Sequence, residues 1–83
     1  MLNTGKKDWQ YYQKLNWSYT IEQETHQGKH HYIIRVNELP GVCTDAPTIE
    51  AGMKEIQEAI EASVKLYLKH GEPVPEPINP LTR

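Results

Sequence analysis

One stretch of the 83-residue sequence limits the possible folds more than any other. Ile49, Met53, Ile56, Ile60, Ser63 or Val64, and Tyr67 recur at spacings of three and four. Side chains at that period line one face of an α-helix, so the run predicts a single amphipathic rod with an apolar stripe. Both ends are marked. Thr48 stands where a hydroxyl accepts from a first-turn amide, and Gly71 followed by Pro73 stops the rod. Lys65, Lys69 and His70 gather near its C-terminus, where positive charge suits the helix dipole. From Thr48 to His70 the rod would be roughly 33 Å long at ~1.5 Å per residue. Its apolar stripe needs a layer to lie on.

The preceding sequence supplies that layer with a different period. Leu15, Trp17, Tyr19 and Ile21 alternate with Asn16, Ser18, Thr20 and Glu22. Tyr32, Ile34 and Val36 alternate with His31, Ile33 and Arg35. Period two with aromatic and β-branched residues predicts half-buried strands over 15–22 and 30–37. The polar 23–29 segment, with Gly28 near its end, reads as the loop between them. Leu39-Pro40-Gly41 reads as a turn, Val42-Cys43-Thr44 as a short third strand, and Asp45-Ala46-Pro47 as the approach to the long helix. Asp8 to Lys14 suits a short helix that depends on Trp9 and Tyr12 packing against the rest. Pro73, Pro75, Pro77 and Pro80 predict an extended tail, lying along a sheet edge or trailing away.

The expected fold class is therefore α+β: a short N-terminal helix, a three-stranded antiparallel sheet, one long amphipathic helix on one face, and a Pro-rich tail. The expected division is a leader over 1–7, one domain over 8–77 and a tail over 78–83. A chain of this size buries only about 60–65% of its unfolded surface, so self-association is a natural source of further burial.

Charge and chemistry narrow the function. Nine Lys plus Arg stand against eleven Asp plus Glu, a net charge of −2. That argues against direct binding of nucleic acid, which favours a basic face. One cysteine, Cys43, allows no intrachain disulfide and fits a reducing compartment. No apolar run follows the two lysines of the N-terminal segment, so no secretory signal is expected, and no stretch suggests a membrane helix. The cytoplasm is the expected location.

No catalytic set emerges. Glu55, Glu58 and Glu61 fall away from the apolar stripe and read as a solvated face. Adjacent His30 and His31 point to opposite sides of a strand and are poorly placed to share a metal. Cys43 reads as a small buried hydrophobe, with no neighbouring base to make it a nucleophile. No enzyme activity, cofactor or metal is expected. Ile33 differs from these: it projects opposite Ile34, so a helix over Ile34 leaves it on the open face as a possible contact with another subunit or partner.

The ordered set Tyr32-Ile33-Ile34-Arg35-Val36-Asn37-Glu38-Leu39-Pro40-Gly41-Val42-Cys43-Thr44, Thr48-Ile49-Glu50-Ala51 and Gly71-Glu72-Pro73-Val74-Pro75 resembles the HicB-like antitoxin family. The resemblance spans about two-thirds of the chain, from Leu15 to Pro77. Ala46-Pro47 departs from it where the family often has a glycine. The resemblance implies a partial ribonuclease-H-like fold without that enzyme's active site. It also implies binding of a small basic mRNA-cleaving toxin of the HicA kind, and homodimers or homotetramers of the stand-alone form. The DNA-binding domain that many members carry has no counterpart here, so operator binding is not expected. The partner-interface residues expected on this reading are Ile33, Arg35, Glu38 and Asp45, with Glu38 and Asp45 facing a cationic partner. An orphan oligomer without a toxin is the alternative. A nuclease or RNA-binding protein is the remote one.

Overall fold

The computed structural model describes residues 7–77. Most of the leader and all of the 78–83 tail lie outside these residues. The elements run in the order α1 (Trp9–Tyr12), β1 (Tyr19–His26), β2 (Lys29–Val36), β3 (Cys43–Ala46) and α2 (Ile49–His70). The strands form one antiparallel sheet in the order β1-β2-β3, a simple meander. The molecule has the α+β architecture expected from its two hydrophobic periods.

Long α2 begins and ends where its cap residues stand. Thr48 has extended backbone, and its Oγ1 accepts from the Ala51 amide at 3.0 Å. Gly71 closes the other end in the left-handed region at φ 69°, where a Cβ would be strained. The buried face is made by Gly52, Ile56, Ile60 and Val64. Ile49, placed on the stripe by spacing alone, is 44% exposed. Gly52 explains the difference. A Cβ built on it would meet Ile34 Cδ1 at 2.6 Å, so this glycine is where the helix comes closest to the sheet. Thr44 Oγ1 donates to the Gly52 carbonyl at 3.4 Å across the same junction.

Below α2, Ile34, Val36 and Ala46 point up into the core, joined by Leu39 from the turn after β2 and by Tyr12 and Trp17 from the N-terminal segment. Burial of this set is the main source of cohesion. Leu39 is 1% exposed and sits inside paired backbone bonds, Leu39 N–H to Val36 O and Val42 N–H to Leu39 O. The Leu-Pro-Gly turn thus carries a core anchor, and Gly41 at φ 95° completes it.

Three boundaries differ from expectation. The first strand starts at Tyr19, not Leu15, because the chain before it bends to put Trp17 into the core. Trp17 Nε1 donates to the Tyr12 carbonyl at 3.0 Å. The alternation of Leu15 and Trp17 reflects packing from a bend. The same strand continues to His26 and is followed by a two-residue turn, Gln27-Gly28, with φ values of 54° and 79°. Two positive φ values match the turn whose twist suits a hairpin, so the expected loop over 23–29 is mostly strand. The third strand lies at 43–46, one or two residues later than its sequence suggested.

The end of the described chain returns to its beginning. Val74 packs against the core, and Glu76 accepts from the Tyr11 hydroxyl at 2.9 Å and from Lys7 Nζ at 3.0 Å. Lys7 Nζ also lies 5.1 Å from the Tyr11 ring centre. Over its described part, residues 72–77, the Pro-rich segment runs past α1. Glu76 holds the Lys7 ammonium above its ordinary range, chiefly by this hydrogen bond, while burial pushes the Tyr12 phenol up.

Candidate partner-binding face

Helix α2 crosses β2 and β3 on one side of the sheet. Among the described residues no helix lies on the other side. Alternation and register together fix what it presents. Across each antiparallel pair, opposed residues share a face. Glu22 stands opposite Ile33 and Ile33 opposite Asp45; Thr20 stands opposite Arg35 and Arg35 opposite Cys43; Glu24 stands opposite His31. All of these therefore point away from α2.

Two diagonal pairs order this face. Arg35 Nη1 donates to Glu22 Oε1, and the guanidinium is held above its ordinary range, first by that hydrogen bond and then by the charge of Glu22. His31 Nδ1 lies 3.1 Å from Asp45 Oδ1. Ile33 sits between the two pairs and is half-buried by them. The result is an apolar centre flanked by an Arg–Glu ion pair on one side and a His–Asp contact on the other. Each pair is too exposed to add much stability alone, but each orients its carboxylate.

Of the four expected interface residues, the sheet brings Ile33, Arg35 and Asp45 onto this one face. Glu38 is elsewhere. It belongs to the turn after β2, where Oε1 accepts from the Ser18 amide at 3.0 Å and Oε2 from the Ser18 hydroxyl at 2.5 Å. Asn37 extends the cluster, donating to Ser18 Oγ at 3.1 Å and accepting from Thr20 Oγ1 at 2.7 Å. Glu38 thus ties the entry of β1 to the exit of β2, using both carboxylate oxygens. Alternation alone puts His31 on the face of Ile33 and Arg35, whereas the strand register is needed to add Glu22 and to reveal the two as partners of Asp45 and Arg35.

Cys43 is exposed beside Arg35, not buried. It is in phase with Asp45 on the open face, while Thr44 and Ala46 turn toward α2. His30 and His31 do point to opposite sides. His30 Nδ1 lies 2.8 Å from Gln23 Nε2 and 3.1 Å from Thr25 Oγ1 on the α2 side of the hairpin. Among the described residues no three His, Cys, Asp or Glu side chains come together to hold a metal ion. No helix among them is long and apolar enough to cross a membrane.

Comparison of the chain with protein-family models, with curated proteins and with solved structures returns no match.

Proposed function

We propose that the protein is a binding module of the HicB-like antitoxin kind, which neutralises a small basic mRNA-cleaving toxin by covering it. The observation that carries this reading is the sheet face opposite α2, with Ile33 between the Glu22–Arg35 and Asp45–His31 pairs. Such a face offers an apolar centre for burial and two oriented carboxylates that a cationic partner can take over from Arg35 and His31. The motif set supports it further. Leu39-Pro40-Gly41 lies between two paired strands, Thr48 caps α2, and Gly71 ends it, as the resemblance to that family implies. The protein then acts by occupying its partner's surface, in the cytoplasm where such a toxin works, and not by turnover.

The test is co-expression with the product of any short basic reading frame beside the gene. Growth arrest by that product alone, relief by this chain, and loss of relief with Ile33→Arg are the expected results. A neighbouring product that is neither toxic nor bound would remove the antitoxin reading.

A further inference from the structure

The β1 edge points to a second contact, on the rim of the sheet and independent of the antitoxin reading. The Asn37 amide donates to the Ser18 carbonyl at 2.9 Å, so residues 18 and 37 form a hydrogen-bonded pair. Such pairs alternate along an antiparallel ladder. Thr20, Glu22 and Glu24 therefore spend their backbone groups on β2, and Tyr19, Ile21, Gln23 and Thr25 turn theirs outward. The Val36 amide, donating to Val42 O at 3.1 Å, gives β2 the opposite phase toward β3, as this assignment requires. The outward groups form a continuous row along an eight-residue strand.

Apart from the carboxylates of Glu22 and Glu24, this edge carries few of the usual protections against pairing. β1 contains no proline and no lysine, and its register with β2 runs without a bulge from Tyr19 to His26. The side chains that go with the outward backbone groups are uncharged and lie on the α2 side of the sheet, where the Tyr19 hydroxyl accepts from Gln57 Nε2 of α2 at 3.1 Å and the rest of the row runs on past the helix. Ile21 is 44% exposed there.

We propose that two copies of this chain pair their β1 strands antiparallel about a two-fold axis at Ile21, giving one continuous sheet with three strands from each copy. A second copy fits because one register opposes no like charges, and charge selects that register. A two-fold pairing must oppose outward residues to outward residues. Centring it on Glu22 or on Glu24 sets that carboxylate against its own copy, and centring it on Gln23 sets Glu22 against Glu24 twice. Like charges directly opposed destabilise a sheet. Centring on Thr20 leaves only 19–21 of each strand overlapping. Centring on Ile21 opposes Ile21 to Ile21, Tyr19 to Gln23 and Thr20 to Glu22. It forms about six backbone hydrogen bonds and covers the exposed isoleucine with its own copy. Glu24 of one copy then faces Ser18 of the other, which Glu38 already holds. Those carboxylates stay in water, and the association tightens as salt is raised.

The experiment uses the full chain carrying Cys43→Ser, so that added cysteines report alone. In the Ile21 register Thr20 and Glu22 of opposite copies form a non-hydrogen-bonded pair, with Cα atoms about 4.5 Å apart and within the span of a disulfide. Mixing Thr20→Cys with Glu22→Cys under mild oxidation is expected to give cross-linked dimer, and neither variant alone is expected to. Light scattering of the unmodified chain is expected to show a concentration-dependent dimer. Ile21→Lys is expected to raise its dissociation constant at least tenfold with circular dichroism unchanged. Gln23→Pro, which removes the outward amide of residue 23 along with the side-chain contact to His30, is expected to weaken it as well. A monomer at every concentration, or Glu22→Cys cross-linking to itself, overturns the proposal. So does a monomer whose Tyr19–Thr25 amides shift on adding an alternating Lys–Val peptide, which would assign the edge to a basic foreign strand.

Discussion

The two ends of the β1–β2 hairpin share one ladder and differ in almost everything else. Near its open end, Ile34 and Val36 lie under α2 and are essentially solvent-free. Toward its tip, every residue from Thr20 to His30 is exposed, although all but the two turn residues and Lys29 and His30 lie on an unbroken β1. Backbone pairing is continuous between the two regions, so hydrogen bonds do not make the difference. Coverage by α2 does. The covered region holds the fold together, and the uncovered region is left free to present an edge and a face. Local stability should divide along the same line, because it follows buried apolar contact more than ladder bonds.

That contrast can be broken from the covered side. Ile34→Ala should cost about 3–4 kcal/mol, because Ile34 is fully buried under α2 and its loss leaves a cavity. Chemical denaturation followed by tryptophan fluorescence would measure it, and a loss below that of a surface substitution would mean the sheet is not held from this side. Gly52→Ala is a smaller and more discriminating change. Alanine gains about 1 kcal/mol of helix propensity over glycine, but its Cβ meets Ile34 Cδ1 in a full core. Overpacking of about 1–3 kcal/mol should win, for a net loss near 1 kcal/mol. A stabilised variant would show that helix and sheet have room to separate at this junction.

The uncovered side should answer weakly. Ile21→Ala, measured in dilute solution where the chain is single, should cost about 0.5 kcal/mol, since nearly half of its surface already meets water and strand preference is a large part of the loss. Gln27→Asn should go the other way by a similar amount, because Gln27 holds φ 54° and asparagine accepts that region more readily. Matching thermal midpoints for all four variants would erase the distinction between the two regions.

How much of this was readable beforehand follows from the same contrast. Where one face is buried, the hydrophobic period reports it, and β2 was placed to within one residue. The caps Thr48 and Gly71 marked α2 because their chemistry is local. The tip of the hairpin carries no period, since both its faces meet water, and its turn begins with glutamine where asparagine would have announced it. Trp17 misled for the opposite reason, being buried from a bend that happens to keep the phase of a strand. Ile49 and Gly52 exchanged roles because close approach of helix to sheet is a tertiary fact. In the candidate site, alternation alone put Ile33 and Arg35 on the open face. The engagement of Glu38 with Ser18, the pairing of His31 with Asp45 and the identity of β1 as an edge all depend on which strands are neighbours. A linear reading does not contain that.

Amide hydrogen exchange along β1, residue by residue and at two protein concentrations, tests the account most directly. In dilute protein the amides of Thr20, Glu22 and Glu24 should be protected by β2 while those of Tyr19, Ile21 and Gln23 exchange freely. At high concentration the second set should become protected too. Uniform protection of β1 in dilute protein would mean another part of the chain covers the edge, and uniform exposure would mean the hairpin tip is not formed; either result contradicts the division drawn here.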